Sequence, residues 1–178
     1  MNPSAAAALI SILFFAAAQR TPPTDVPESL KVPAGQELIL HAHATGSQIY
    51  VCQAGPDQKL AWTLKAPEAT LLAGHGKEIG THFAGPTWKH KDGSEVTGKV
   101  AAKQDAPEPG SIPWLLLNAN TQSGSGVFSR VAFIQRLHTK GGVAPATGCD
   151  DAHRGSEVKV PYSADYYFYG PLLYNPAD

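Results

Sequence analysis

Apolar and polar residues alternate along several short stretches of the chain, a pattern typical of β-strands with one buried face. Residues 38–44 divide into two faces, one with Leu38, Leu40, Ala42 and Ala44 and the other with Ile39, His41 and His43. Residues 45–47 (TGS) predict a turn, and residues 48–53 predict a second strand after it. Residues 60–64 alternate in the same way, and we expect Pro67 to end that ladder.

The clearest hairpin signal lies between two alternating segments, residues 79–83 and 87–91, separated by Ala84, Gly85 and Pro86. Such a short turn predicts that the two segments pair as antiparallel neighbours. The pairs that follow from it are Phe83 with Thr87, His82 with Trp88, and Gly80 with His90.

A third strand is predicted after a second turn at residues 92–94. If His90 pairs with Val96, then Trp88 lies opposite Gly98, which leaves room for the indole ring. In this three-stranded meander the inner face carries His82, Trp88, His90, Val96 and Val100.

The rest of the chain continues the strand pattern. The apolar run at residues 114–117 predicts a strand covered on both faces, and residues 127–138, after a turn at 123–126, predict a long strand. With 17 glycines and 15 prolines among 178 residues, turns are frequent and long helices are not expected. The sequence therefore predicts one all-β domain over residues 36–178, an antiparallel sandwich or barrel with almost no helix.

The N-terminus carries the features of a secretory signal. Residues 5–18 are apolar and uncharged, shorter than the ~20 residues of a membrane-spanning helix, and end in an A-x-A cleavage site. The alternative is a buried N-terminal helix, because no Lys or Arg precedes the apolar run. We expect residues 1–18 to be a signal peptide and residues 19–35 to be a Pro-rich leader. The protein would then be secreted or periplasmic, without a stable membrane span.

Charge and cysteine content narrow the classes of partner and compartment. Lys and Arg total 14 against 15 Asp and Glu, which gives no basic footprint for nucleic acid. The two cysteines, Cys52 and Cys149, have no CxxC spacing. In an exported protein such a pair indicates one disulfide, and two buried free thiols are the alternative.

Several motifs, taken in order, resemble one known family. They are IYVCQ, GTHFAGPTW followed by DGSEV, IPWLLL, VAFIQRLHTKGGVAP with Cys149, and the closing VPYSADYYFY. Over about residues 32–169 they are similar to domain-of-unknown-function family 3455, which comprises secreted proteins of bacteria and fungi. The resemblance implies an exported all-β domain with Cys52 bonded to Cys149. It implies no catalytic residue, and the chain lacks the G-x-G-x-x-G motif that a dehydrogenase label would need.

Histidines offer one candidate site. His41 and His43 project from the same face of a strand, and His82 and His90 are diagonal neighbours across the predicted hairpin. Neutral imidazole is a common ligand of zinc and copper, so these four residues are candidate metal ligands. The alternative is that His82 and His90 are hydrogen-bonded core residues while His41 and His43 face solvent.

Aromatic residues offer a second candidate site, for a ligand rather than a metal. On a strand Tyr167 and Tyr169 point to one side, and Tyr166 and Phe168 to the other, so half of this cluster is expected in the core. The candidate ligand-binding residues are Trp88, Tyr166, Tyr167 and Tyr169.

Together these features predict an exported binding or structural module, with an unknown small molecule, glycan or protein of the cell surface as its partner. No catalytic residue and no reaction is assignable, because the chain has no G-x-S-x-G nucleophile motif. No cofactor is expected on this interpretation. The alternative is a His-ligated zinc or copper protein of the periplasm or exterior.

Overall fold

A computed structural model describes residues 21–173, and these form eight antiparallel strands in one closed barrel. The strands are β1 (Gln36–Ala54), β2 (Leu60–Leu72), β3 (Glu78–Phe83), β4 (Thr87–His90), β5 (Glu95–Gln104), β6 (Trp114–Ser123), β7 (Phe133–Gly141) and β8 (Glu157–Pro171). Each strand pairs with its neighbour in sequence, and β8 closes the ring on β1. The all-β prediction is confirmed, with the barrel as the architecture that forms.

Helical structure in the described residues is confined to three single 3-10 turns, Glu28–Leu30, Gly74–Gly76 and Asp151–His153. None of the helices in residues 21–173 has the length and apolar character needed to cross a membrane. The predicted signal peptide, residues 1–18, lies outside the described part of the chain.

The β3–β4 hairpin has the predicted register, with Gly80 opposite His90 and His82 opposite Trp88. The predicted register of the next pair is wrong, because Trp88 lies opposite Val96 instead of Gly98. The amide of His90 donates to the Ser94 carbonyl at 2.9 Å, so the turn is two residues shorter than expected and β5 is shifted by two residues against β4. Gly98 still makes room for the indole, since a Cβ there would lie 3.0 Å from the Trp88 ring.

β1 runs without interruption through residues 45–47, so the predicted turn there is wrong. Gly46 instead allows a close approach of β2, because a Cβ at this position would collide with the Glu68 carbonyl oxygen and with Ala69. A register shift between Leu38 and Leu40 also reverses the face of Ile39, which joins the barrel core.

β2 likewise continues through Pro67, which was predicted to end it. Pro67 lies opposite Gln48 of β1, whereas the ladder between β2 and β3 begins only at Ala69. On that side of β2 there is therefore no partner strand that needs an N–H from residue 67.

One end of the barrel is closed by residues 127–132, which were predicted as the first half of a strand but form turns. Here Phe128 and Val131 are fully buried, and Phe128 packs on Phe168 with ring centroids 4.6 Å apart. The carboxylate of Asp92 accepts hydrogen bonds from the Val127 amide and from Ser94, at 2.8 Å in each backbone contact. These contacts draw the segment under the barrel, and β7 begins only at Phe133.

Outside the barrel, residues 21–35 lie against β6, β7 and β8. Leu30 is fully buried there in a second apolar cluster with Trp114 and Leu137. Its carbonyl accepts a hydrogen bond of 2.7 Å from the buried Gln135 amide. Residues 114–117 of β6 are consequently covered on both faces, as predicted, whereas most of the rest of the strand is exposed.

The disulfide between Cys52 and Cys149 is present, and it joins the end of β1 to the loop before β8. The described chain contains no free cysteine. The interpretation of the two cysteines as one disulfide is therefore confirmed.

Candidate functional site

The end of the barrel opposite the Phe128 segment contains a cavity of about 360 Å³. All eight strands and the β3–β4 turn contribute to its wall. The apolar lining residues are Leu64, Ala66, Pro67, Pro86, Trp88, Val100, Leu115 and Leu117. Leu64 and Val100 remain 53% and 50% exposed, which is unusual for large apolar residues. Eight-stranded barrels are just wide enough to be filled by side chains or to hold one small ligand.

An aromatic layer forms the floor of this cavity. The rings of His82 and Trp88 are stacked, with centroids 4.4 Å apart, as their opposition across the β3–β4 hairpin allows. Tyr166 of β8 meets both of them edge-on, at 5.1 Å from His82 and 5.4 Å from Trp88. All three side chains are at most 2% exposed, so the floor is closely packed.

His82 is neutral in the folded protein. Its Nδ1 lies 2.8 Å from the Thr87 carbonyl oxygen, which can only accept, so Nδ1 carries the proton and Nε2 keeps a lone pair. Burial lowers the pKa of His82 from 6.5 to about 3, and the charge of Arg136 acts in the same direction. His82 therefore adds no positive charge to the cavity at neutral pH.

Three side chains that line the cavity carry buried hydrogen-bond donors without a partner among the described residues. They are Gln48 through Nε2, Trp88 through Nε1 and Tyr166 through its hydroxyl group. Burial raises the pKa of Tyr166, so this hydroxyl keeps its proton. Because an unsatisfied buried donor costs about 1–3 kcal/mol, three at one site indicate a place for an acceptor.

Arg136 of β7 adds a positive charge to the cavity wall. Its Nε and Nη2 donate to the Pro113 carbonyl at 3.2 and 2.8 Å, which fixes the guanidinium close to the Tyr166 hydroxyl group. The charge acts on the interior, since it lowers the pKa of His82 and opposes the effect of burial on Tyr166.

Arg136 is not among the residues that the sequence singles out, although the pattern of β7 contains a signal for it. Ile134 is fully buried in the barrel core, and Arg136 lies two residues further on the same strand. Alternate residues of a strand share a face, so an inward-facing Ile134 places Arg136 on the interior side as well. Gln48 follows from the same argument, because it alternates with the buried Ala44 and Tyr50.

The predicted metal ligands His41 and His43 lie on the outer face of the barrel. Their rings approach one oxygen of Asp165 at 3.4 and 2.9 Å, and His138 contacts the other oxygen at 3.0 Å. Although burial raises the pKa of Asp165, the hydrogen bonds from the three imidazoles outweigh it and hold that pKa well below its usual range. Asp25 of the N-terminal segment binds the far side of His138 at 3.0 Å.

The other two predicted ligands lie elsewhere. His82 belongs to the cavity floor, whereas His90 contacts Asp92 at 3.0 Å near the closed end of the barrel. Residues 21–173 contain no group of three or more His, Cys, Asp or Glu side chains arranged to hold a metal ion. The structure therefore does not bring the four histidines together.

The predicted aromatic ligand residues divide between the two faces of the sheet. Trp88 and Tyr166 line the cavity, and Phe168 lies in the core beneath them. Tyr167 and Tyr169 point outward, as the alternation predicts, but the N-terminal segment covers them, and each is 6% exposed.

Comparison with known proteins is informative at the level of the family alone. No curated protein and no solved structure matches the chain significantly. The model of one family, described as proteins of unknown function (DUF3455), matches residues 33–170, from just before β1 to the end of β8. Because this match covers the whole barrel, the chain belongs to the DUF3455 family.

Proposed function

We propose that this protein is a binding module that holds a small, largely apolar molecule in the cavity of its barrel. The observation that carries the proposal is the combination of an apolar wall with buried, unpartnered donors on Gln48, Trp88 and Tyr166. Small-molecule sites are typically concave and apolar, occupy about 300–1,000 Å³, and contain a few polar groups that orient the ligand. A cavity of about 360 Å³ is at the lower end of that range.

The proposal includes export to the periplasm or the exterior. A disulfide between Cys52 and Cys149 supports it, since structural disulfides persist mainly in oxidising compartments. The apolar run and A-x-A site at residues 5–18 support it independently. The exported module would then meet its ligand outside the cytoplasm.

A neutral fluorescent probe tests binding without any assumption about ligand charge. N-phenyl-1-naphthylamine, which fluoresces when it enters an apolar site, should bind at one saturable site. Val100 lines the half-exposed mouth, so Val100→Trp should narrow the entrance and weaken binding at least tenfold. Lys99 is exposed on the same strand and does not line the cavity, so Lys99→Trp is the matched control.

The two variants also define the result that would overturn the proposal. Binding that is absent, non-saturable, or equally strong in wild type, Val100→Trp and Lys99→Trp would show that the cavity is not a binding site. Saturable binding lost in Val100→Trp and retained in Lys99→Trp would support it.

A further inference from the structure

We infer that the ligand of this cavity carries a carboxylate group, which binds against Arg136 while its apolar body contacts Leu64 and Val100 at the mouth. The inference rests on the proposed function and specifies the class of ligand, a small amphipathic monocarboxylate. It is carried by the hydrogen-bonding character and the charge of the lining residues.

The three buried side-chain atoms of the lining that lack a partner can each donate a hydrogen bond, and the lone pair on His82 Nε2 adds one acceptor beside them. The indole N–H of Trp88 can only donate, the Gln48 Nε2 and Arg136 nitrogens are donors, and the Tyr166 hydroxyl group has a proton to give. A ligand that satisfies them must present acceptors. A carboxylate is acceptor-only and offers about four lone-pair positions on two oxygens, more than an alcohol or a single carbonyl group can.

The charges around the cavity favour an anion over a neutral acceptor. Among the described residues, those that line the cavity include Lys65 and Arg136 but no Asp or Glu. Lys65 is bound by Glu157 at the exposed rim, which leaves the guanidinium as the uncompensated charge.

Arg136 is the one arginine of residues 21–173 that forms no ion pair within them. Arg130 pairs with Glu37 at 2.8 Å and Arg154 pairs with Asp151 at 2.8 Å, both near the surface. Arg136 forms no ion pair within the described chain, and its contacts are with the neutral Pro113 carbonyl. A half-buried guanidinium without a carboxylate partner is a site at which a ligand carboxylate gains a charge-assisted hydrogen bond.

The apolar part of the ligand follows from the position of the charge. Arg136 lies opposite Leu115 in the ladder between β6 and β7, and its guanidinium group donates to the Pro113 carbonyl, whereas Leu64 and Val100 are the half-exposed apolar residues of the lining. A molecule with its carboxylate at Arg136 would cover apolar side chains of the lining that are otherwise exposed to water. This arrangement favours an aliphatic or aromatic acid over a polyanion or a sugar.

Three probes of equal chain length but different head group test the inference by calorimetry at pH 7.5. Octanoate should bind wild type at least tenfold more tightly than octanol, and octylammonium should bind more weakly than either. Arg136→Gln should reduce the ratio of octanol to octanoate dissociation constants to about one. Arg130→Gln, which removes a surface arginine, should keep the wild-type ratio.

Each outcome bears on the inference. Urea unfolding of Arg136→Gln shows whether the variant is folded, and if it is not, the comparison of the three probes on wild type decides alone. If octanol binds wild type as tightly as octanoate or more tightly, the inference that the ligand carries a carboxylate is overturned. The proposed function still stands in that case if N-phenyl-1-naphthylamine binds and its binding is weakened by Val100→Trp. If that dye and all three octyl probes fail to bind, the inference and the proposed function fail together.

Discussion

Wild type should lose stability as the pH falls from 6.5 to 4.5 because His82 is buried in its neutral form, and replacing His82 with glutamine should remove this loss. His82 is 2% exposed, and burial lowers its pKa from 6.5 to about 3. Between these two values the unfolded chain binds a proton that the folded chain does not. Stability is therefore fully present above pH 6.5 and is lost as the pH falls toward 3.

The magnitude follows from the same two pKa values. One pH unit corresponds to about 1.4 kcal/mol for one proton, so lowering the pH from 6.5 to 4.5 should cost about 2 kcal/mol through His82. His82→Gln keeps an N–H that can donate to Thr87 but cannot titrate. The variant loses the stacking on Trp88, and we expect it to be less stable than wild type at pH 7.5.

Urea denaturation at pH 7.5, 6.5, 5.5 and 4.5 measures the effect. The difference in unfolding free energy between wild type and His82→Gln should narrow by about 2 kcal/mol from pH 6.5 to 4.5. His75→Gln replaces an exposed histidine and should follow the wild-type pH dependence. A wild-type-minus-variant difference that stays constant across these pH values would refute the assignment of a neutral, proton-excluding His82.

Two further predictions concern the stability of the barrel around the cavity. The Cys52–Cys149 disulfide spans 97 residues of sequence, so its removal should destabilise the protein considerably. In urea denaturation, the free energy of unfolding of the double variant Cys52→Ala/Cys149→Ala should be about 4 kcal/mol lower than that of wild type. A decrease of less than about 1 kcal/mol would contradict the structural role of the disulfide. Gly46→Ala places a methyl group against the Glu68 carbonyl and should lower stability by about 1–3 kcal/mol in the same assay. Gly74→Ala, where a Cβ meets nothing within 4 Å, should change stability far less, and equal effects would argue against the close approach.

Local patterns in the sequence were sufficient for features that depend on neighbouring residues. The β3–β4 register was predictable because a short turn fixes which residues oppose each other, which paired His82 with Trp88. The opposite orientations of Tyr166 and Tyr167 follow from strand alternation in the same way. These predictions gave most of the cavity floor.

Features decided by distant residues were not predictable from local patterns. Gly46 resembles a turn residue, yet its role is set by Glu68 and Ala69 of β2, which pass too close for a side chain. The neighbours of His43 in sequence do not show that its ring contacts Asp165, which lies 122 residues further along the chain. The charge of Arg136 became informative only when the barrel placed it in an apolar interior without a carboxylate nearby.

The pairing of β1 with β8 determines when the protein can fold. This ladder joins the two ends of the barrel, from Gln36 opposite Pro171 to Val51 opposite Glu157. Until the final strand has been synthesised, the sheet keeps two unpaired edges and an open core. Contacts between residues this far apart in sequence also form slowly, because loop closure precedes any gain from pairing. The barrel can therefore close only after β8 has been synthesised, although β1 was made more than 100 residues earlier.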